Sequence, residues 1–248
     1  MGSGKRGPPV FVFGNQKSGT TAVAALLARY LGLEYSHDMF FQNGWIDNDA
    51  AFRNSLEISE LVKRSPRSFS AGVIKDPDLT FMMTQCLRHF SDSQSIFLIR
   101  EPRRNIASIL HRLGLEGNHP SASVPPMRFE QSILWGNTLS SERLGLPPGN
   151  YVETLARRWR RAAELYRYHA SETILLRYED FTKNKYRSIS RIAEELKREQ
   201  VNSIDKMLDF KFQPNSKNIE NFDEFFGDEN SQRIKSICGD LSKYFGYM

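Results

Sequence analysis

Short apolar runs alternate along the chain with longer segments in which apolar residues recur every three or four positions. The runs are Val10–Phe13, Ala71–Ile74, Ile96–Ile99 and Ile174–Leu176. Short continuous apolar runs are typical of strands buried on both faces of a sheet, whereas the longer spacing is typical of helices. The alternation predicts an α/β fold in which a central parallel sheet is flanked by helices, with residues 1–248 forming a single domain.

The three-to-four spacing predicts helices after most of these strands. They cover residues 23–31, 77–90, 102–113, 152–166, 189–196 and 230–245. Gly32 ends the first of them, because glycine readily adopts the left-handed conformation that is common after a last helical turn. Pro102 suits the first turn of its helix, where a missing N–H group breaks no hydrogen bond. The stretch Gln200–Asp228 is aromatic and mixed in charge, and it shows no clear period.

The segment Gly114–Asn150 interrupts the regular order of strands and helices. It contains five prolines together with several glycines and serines. Irregular segments of this length inside a domain are usually functional. We therefore expect a lid or a wall of an acceptor site here, with Phe129 and Trp135 as its apolar contacts. Residues 1–8, which are small, polar and basic, are expected to be flexible.

The composition is that of a globular protein with a mild positive charge. Of the 248 residues 40% are hydrophobic and 25% are charged, and 34 Lys and Arg stand against 29 Asp and Glu, a net charge of +5. This excess suits an anionic ligand without requiring nucleic acid. One predicted helix carries Arg157, Arg158, Arg160 and Arg161 opposite its apolar stripe. We expect a solvated basic face there, with nucleic-acid binding as the weaker alternative.

Neither a membrane span nor a disulfide framework is predicted. No apolar stretch reaches the roughly 18 to 20 residues that a spanning helix needs. Cys86 and Cys238 are too few for a framework, and both lie on apolar helical stripes, so we expect them to be buried. These features favour a cytoplasmic protein, with a removed N-terminal anchor as the open alternative.

The residues between the first strand and its helix predict a phosphate-binding loop. They read Gly14-Asn15-Gln16-Lys17-Ser18-Gly19-Thr20-Thr21. Such a loop directs backbone N–H groups and a helix N-terminus at one point, where a phosphate is stabilised. Gly14 and Gly19 keep the glycine spacing of the nucleoside-triphosphate P-loop, but Thr20 stands where that motif has lysine. Because the third strand ends in Arg100 and not in an Asp that could hold Mg²⁺, we expect a P-loop-like site without a metal.

Three segments resemble the sulfotransferases that use 3′-phosphoadenosine 5′-phosphosulfate (PAPS). Lys17-Ser18-Gly19-Thr20-Thr21 matches the first family signature residue for residue. The second signature is an Arg that ends a strand and a Ser eight positions later, matched by Arg100 and Ser108. A Tyr-Glu-Asp segment after a later strand is matched by Tyr178–Asp180. The three segments occur in family order over about two thirds of the chain.

The resemblance implies a donor site for PAPS, with its product PAP, the 3′,5′-bisphosphate, and no metal. The loop would hold the 5′-phosphosulfate through Gln16, Lys17, Ser18, Gly19, Thr20 and Thr21. The implied ligands of the 3′-phosphate are Arg100 and Ser108, and Tyr178 would lie at the adenine. One family element is missing, because the C-terminal third has no Gly-x-x-Gly-x-x-Lys motif. The contacts that close the cofactor site stay open, with Arg103, Arg104 or a residue of 200–228 as candidates.

The acceptor side of the predicted site is less determined. The resemblance implies a hydroxyl acceptor, either a small molecule or a carbohydrate, and a catalytic role for Lys17 at the departing PAP. Lys75 resembles the lysine that faces the acceptor in many members. We expect it to bind the transferring sulfonate, with a structural ion pair as the alternative. The two positions from which family members supply a general base hold Pro77 and Ile74 here.

Three side chains near this point are candidates for the general base. Asp76 is the first choice, although it would equally well cap the helix that begins at Pro77. Asp78 and His37 are the alternatives. Because the positions of the usual base are not filled, two other functions stay open. They are a metal-dependent P-loop kinase and a catalytically silent PAP-binding interaction protein.

Overall fold

The computed structural model of the chain describes residues 7–42, 48–118, 135–212, 219 and 221–247. Within these residues five parallel strands form one sheet in the order β2-β3-β1-β4-β5. The strands are β1 (Val10–Gly14), β2 (Tyr35–His37), β3 (Val73–Lys75), β4 (Gln94–Ile99) and β5 (Thr173–Arg177). Together with the helices that flank it, this sheet confirms the predicted α/β fold class.

The helices lie between the strands and after the last of them. They are α1 (Thr20–Leu31), α2 (Met39–Gln42), α3 (Asn48–Phe52), α4 (Ile58–Arg64), α5 (Pro66–Phe69), α6 (Met83–His89), α7 (Pro102–Leu113), α8 (Tyr151–Tyr168), α9 (Tyr178–Lys183), α10 (Lys185–Glu195) and α11 (Phe222–Tyr244). Two 3₁₀ turns cover Asp78–Met82 and Asp205–Met207. Residues 135–139 are also helical. None of the helices in the described part of the chain combines the length and apolar character needed to cross a bilayer.

The core has two apolar layers, one on each face of the sheet. Alternate residues of β1 divide between them: Phe11 and Phe13 join one layer, and Val10 and Val12 join the other. Helices α1 and α10 cover the second layer, whereas α6, α7, α8 and α11 cover the first. Each fully buried apolar side chain contributes about 1.5 to 3 kcal/mol to the stability of the fold. Both layers thus hold the carboxyl ends of the strands, where the predicted site residues lie, in a fixed arrangement.

The single helix predicted for residues 77–90 is wrong in its first half. The structure has the 3₁₀ turn Asp78–Met82 there, and α6 begins at Met83. The hydroxyl of Thr80 accepts a hydrogen bond from the Gly14 N–H (2.9 Å) and donates one to the Gly14 carbonyl (3.1 Å). These two hydrogen bonds join the 3₁₀ turn to the end of β1 and favour the turn over the first part of the predicted helix.

The last helix begins earlier than its spacing predicts. Helix α11 starts at Phe222, and the Asn221 side chain caps it by accepting the N–H groups of Asp223 and Glu224. Gly227 has a φ of 67° and kinks the helix, which explains why a regular period is seen only beyond that point.

The prediction of a lid over 114–150 falls partly outside the described residues, since 119–134, including Phe129, are not among them. Trp135 opens the helical residues 135–139 and is partly buried against the first apolar layer. The prediction that residues 1–8 are flexible also falls mostly outside the described part, which begins at residue 7.

The solvated basic face predicted for α8 is wrong at one position. Arg161 is exposed, and Arg157 and Arg160 form ion pairs with Glu153 and Asp240 near the surface. Arg158, in contrast, is completely buried and pairs with Asp78 at 2.6 Å. A carboxylate from another part of the chain thus allows one arginine of the polar face to enter the interior. Cys86 and Cys238 are both buried free cysteines, as predicted.

Candidate functional site

The loop between β1 and α1 presents a helix N-terminus at the carboxyl edge of the sheet. Lys17 and Gly19 adopt positive φ angles of 63° and 92°, which turn the chain sharply into the helix. The first N–H groups that bond back to Gly19 are those of Ala22 and Val23. The amides of Gly19 and Thr20 therefore precede the first bond of α1 and lie where the helix dipole favours an anion. This local geometry is that of a phosphate-binding loop.

A cavity of about 470 Å³ lies against this loop. Six of the residues predicted to bind a nucleotide line it: Lys17, Gly19, Thr21, Arg100, Ser108 and Tyr178. The opposite wall includes Phe181, Thr182 and Lys185, which the sequence did not single out. It also includes residues of the stretch 200–228 that was a candidate for the closing contacts: Asp209, Phe210, Lys211 and Phe212. The structure thus brings together the loop, the end of β4, one face of α7 and the start of α9 around one space.

Three predicted ligand residues have side chains outside this lining. Gln16 donates a hydrogen bond to Asp78 (3.0 Å) and accepts one from Arg158 (2.9 Å). Ser18 is buried, and its hydroxyl accepts a hydrogen bond from Asn105 (3.1 Å). Thr20 is buried as well. These side chains shape the loop from within, so their contribution to anion binding would come from the backbone.

Asn105, on α7, holds the loop in place and was not identified from the sequence. Its Nδ2 donates to the Gln16 carbonyl at 2.7 Å, and its Oδ1 accepts a hydrogen bond from Asn15 at 2.9 Å. Asn105 is completely buried on α7, between Arg100 and Ser108 in the sequence. The sequence did contain a signal for this role, since Asn105 lies next to the apolar stripe of its predicted helix. A polar side chain that is buried at such a position needs hydrogen-bonding partners.

Arg100 joins the loop to the far wall of the cavity. Its Nη1 donates to the Lys17 carbonyl at 2.9 Å, and its guanidinium lies 4.5 Å from the centre of the Tyr178 ring. The indole N–H of Trp159 donates to the Arg100 carbonyl at 2.9 Å and fixes the end of β4. The guanidinium is therefore held in one orientation at the edge of the cavity.

Lys17 carries a perturbed amine at the same place. Burial, together with the positive charges of Arg112 and Arg100, lowers its pKa from the usual value near 10.5 to about 8. An amine that is crowded by other cations is stabilised in its charged form when an anion binds beside it. The electrostatics of the loop thus favour a negatively charged ligand.

Gly19 and Tyr178 approach each other too closely for any side chain at position 19. A Cβ atom there would lie 2.5 Å from Cδ2 of Tyr178, and the φ of 92° is itself unfavourable for other residues. We expect Gly19→Ala to lower the free energy of unfolding by about 1 to 3 kcal/mol, the range for residues held in unfavourable backbone regions. Urea unfolding measures the change.

The matched control is Gly239→Ala. Gly239 lies within α11, and a Cβ atom there would meet nothing within 4 Å. Alanine in a helix interior is favoured over glycine by roughly 0.5 to 1 kcal/mol, so this variant is expected to be more stable. If Gly19→Ala were as stable as the control, the close packing of Tyr178 on the loop would be refuted.

The carboxyl ends of β2 and β3 place a second group of polar side chains beside the loop. His37 and Lys75 are register partners, which puts them on the same face of the sheet. Lys75 is buried, and its Nζ lies 2.5 Å from Oδ1 of Asp38. The alternative interpretation of Lys75, a structural ion pair, therefore describes a contact that is present in the structure.

Asp76 is buried with both carboxylate oxygens in hydrogen bonds to the backbone. One oxygen accepts the Phe40 N–H at 3.1 Å, and the other accepts the Asp78 N–H at 2.9 Å. Burial and, next in size, the neighbouring charge of Asp78 raise the pKa of Asp76 to about 7. These contacts agree with the interpretation of Asp76 as the cap of the turn that follows it.

Comparison with known proteins assigns the chain to a family. A family model described as a sulfotransferase domain matches residues 7–245, whereas no curated protein sequence matches the chain. A sulfotransferase from Alicyclobacillus acidocaldarius is 13% identical, with 97% of this chain and 96% of that chain covered and a TM-score of 0.53. For a mouse sulfotransferase complexed with PAP, the identity is 13%, the coverage 97% and 86%, and the TM-score 0.54. At such low identities these structures show the shared fold, and the family model, which spans nearly the whole chain, shows that the protein belongs to the sulfotransferases and is a transferase.

Proposed function

We propose that the protein transfers the sulfuryl group of PAPS to a hydroxyl group of a small-molecule or carbohydrate acceptor and releases PAP. The observation that carries this proposal is that one cavity contains two separate groups of residues suited to bind anions. Lys17 and the loop form one group, and Arg100 and Ser108 form the other. A nucleotide with phosphate groups at both its 5′ and 3′ positions has the charge distribution that matches them.

Two features of the cavity suit this ligand. Nε of Arg100 is buried and makes no hydrogen bond within the described part of the chain. A buried guanidinium nitrogen without a partner is costly, and a phosphate oxygen would satisfy it. Gly19 has no Cβ, so the Tyr178 ring packs directly against the loop and lies at the wall of the cavity. In this proposal the loop holds the 5′-phosphosulfate, and Arg100 and Ser108 hold the 3′-phosphate.

The contacts that close the site come, in this proposal, from the segment 209–212. Lys211 faces the cavity from this segment, and Lys185 faces it from α10. The Lys185 ammonium also donates to the Leu208 carbonyl, which ties α10 to the segment. Phe210 is 60% exposed although it packs edge-to-face on Phe212. An adenine between these rings and Tyr178 would cover that apolar surface, and the two lysines would replace the missing family motif.

The roles of the chain's own residues follow from their charges. PAPS supplies the sulfuryl group, and negative charge grows on the oxygen that PAP retains. Lys17 is the lysine of the loop and lines the cavity, so its ammonium would stabilise that charge electrostatically. His37, at the end of β2, would take the acceptor's proton. Asp76, the first choice from the sequence, has both carboxylate oxygens in backbone hydrogen bonds, which favours its role as a cap.

The experiment that tests the function is calorimetric titration without metal. We expect PAP to bind far more tightly than adenosine 5′-monophosphate, because the latter lacks the group that Arg100 and Ser108 would bind. Equal affinity for the two nucleotides, or an absolute need for Mg²⁺, would reject the proposal and favour the kinase. Transfer of labelled sulfuryl from PAPS to pooled hydroxylated metabolites separates an enzyme from a silent PAP-binding protein.

The perturbed pKa of Lys17 predicts a pH dependence of PAP binding. The amine is charged below about pH 8 and neutral above it, so the affinity for PAP is expected to fall as pH rises from 7 to 9.5. Lys17→Arg remains charged over this range and should not show the decline. Titrations in buffers of different ionisation enthalpy would show proton uptake on binding near pH 8.5 in the wild type alone. A wild-type affinity that does not change between pH 7 and 9.5 would contradict this role.

A further inference from the structure

Arg158 is a completely buried arginine that the proposed chemistry does not use. It lies on α8, and its Nη2 forms an ion pair with Oδ1 of Asp78 at 2.6 Å. The guanidinium also packs over the Phe81 ring, 4.3 Å from its centre. Removing a guanidinium from water is costly, so a buried arginine persists only where close partners compensate for the lost hydration.

The other hydrogen bonds of Arg158 are with the loop. Its Nε donates to Oε1 of Gln16 at 2.9 Å and to Oδ1 of Asn15 at 3.2 Å. Gln16 in turn donates from Nε2 to Oδ1 of Asp78 at 3.0 Å. One guanidinium thus connects α8, the turn after β3, and the two residues that precede Lys17.

Lys17 needs such support because its backbone is strained. Its φ of 63° is in the left-handed region, which costs a residue with a side chain roughly 1 kcal/mol or more unless neighbours impose it. On the C-terminal side, Arg100 holds the Lys17 carbonyl and Asn105 holds Ser18. On the N-terminal side, Arg158 holds the side chains of Gln16 and Asn15. The loop is therefore clamped from both ends.

We propose that Arg158 is a positioning residue for the donor site. It fixes Gln16 and Asn15, so that the loop keeps Lys17 in its left-handed conformation at the edge of the cavity. Arg158 does not line the cavity itself, and it acts only on the half of the site that receives the 5′-phosphate. This inference rests on the proposed function, because it assumes that the loop binds that phosphate.

The test compares two nucleotides on Arg158→Lys. A lysine preserves the charge opposite Asp78, but its single ammonium cannot reproduce the planar fork that reaches Asp78 and the loop together. PAP has both phosphates, whereas adenosine 3′-monophosphate lacks the one at the loop. We expect the affinity for PAP to fall about tenfold or more, as for the loss of a charge-assisted hydrogen bond, while the affinity for adenosine 3′-monophosphate stays within about threefold.

A second variant and a control complete the test. Gln16→Ala removes the shorter of the two hydrogen bonds from Arg158 to the loop and leaves the buried Arg158–Asp78 pair in place. It serves as the test variant if Arg158→Lys does not fold. The same selective loss of PAP affinity is expected, and the effects of the two substitutions should not add, because they remove one interaction. Arg160→Lys makes the same exchange on α8 at a surface pair with Asp240 and should change neither affinity.

The outcomes separate this inference from the proposed function. If Arg158→Lys or Gln16→Ala lowered the affinities for both nucleotides equally, or lowered neither, the positioning role would be overturned while the proposed function stands. Additive effects in the double variant would also overturn it. A wild-type protein that binds PAP no better than adenosine 3′-monophosphate would reject the proposed loop site, and the inference with it.

Discussion

Replacing Lys17 by alanine is expected to lower the rate of sulfuryl transfer by roughly 10²- to 10³-fold, the usual effect of removing one preorganised group that stabilises charge in a transition state. The amine lies at the loop, and its field is reinforced by the neighbouring Arg100 and Arg112. Thermal unfolding should change little, because the side chain is only partly buried. The measurement is turnover of labelled PAPS, together with a melting curve.

Two comparisons sharpen this result. Lys17→Arg should restore only part of the rate, because a planar guanidinium cannot replace a compact ammonium at one bridging oxygen. Lys183→Ala removes a lysine from α9 whose side chain is 77% exposed and contacts Asp180 on the surface, so it should leave turnover unchanged. Transfer at nearly the wild-type rate by Lys17→Ala would mean that another group stabilises the departing PAP.

The parts of the fold that the sequence predicts are those set by local patterns. Strand β1 is predicted to within one residue and helix α1 to within three residues at its start, because a buried run, two glycines and a helical stripe follow one another directly. Strand β2 was not predicted, because Tyr35–His37 is only three residues long and each of its side chains carries a polar group. A strand of this kind forms because it pairs with β3, and pairing between distant segments leaves no local period.

The buried state of Arg158 is a second feature that no local pattern contains. On the helical projection of α8 it lies at the border of the apolar stripe, between the buried Leu155 and Ala162 and the exposed Arg161. Its partner Asp78 is 80 positions away in the chain. Composition and spacing alone cannot distinguish a paired interior arginine from a surface one. The same limit applies to Gln16, for which the motif predicts a loop but not the direction of the side chain.

Only one wall of the cavity, the one formed by the loop, could be predicted from a sequence motif. The loop wall is continuous in sequence, so its residues carry a recognisable order. The opposite wall depends on Phe210, Lys211 and Phe212, in a stretch with no hydrophobic period, and its position is set by packing against α10. Such a wall becomes visible only when the chain is folded.

The raised pKa of Asp76 predicts how stability depends on pH. The folded protein keeps this proton up to about pH 7, whereas the unfolded chain loses it near pH 4. The folded state therefore binds more protons between these values, and its stability falls as pH rises from about 4 to 7. Asp76→Asn has no proton to lose, so the decline should be smaller in urea unfolding at pH 4.5, 5.5 and 7. An identical decline in both proteins would contradict the raised pKa.

His37→Gln is expected to slow transfer by roughly 10²- to 10⁴-fold, the range for loss of one general base. Its register with Lys75 puts the imidazole at the carboxyl edge of the sheet, and glutamine keeps a polar side chain there without a basic nitrogen. The affinity for PAP should stay within a few-fold, because the residue is not part of the cavity lining. Asp76→Asn keeps only one of the two acceptor oxygens and should be less stable, but the folded variant should transfer at close to the wild-type rate, because the carboxylate is bonded to the backbone. If instead Asp76→Asn lost the activity and His37→Gln kept it, the acceptor's proton would go to Asp76, and the hydrogen bonds to Phe40 and Asp78 would have to open during the reaction.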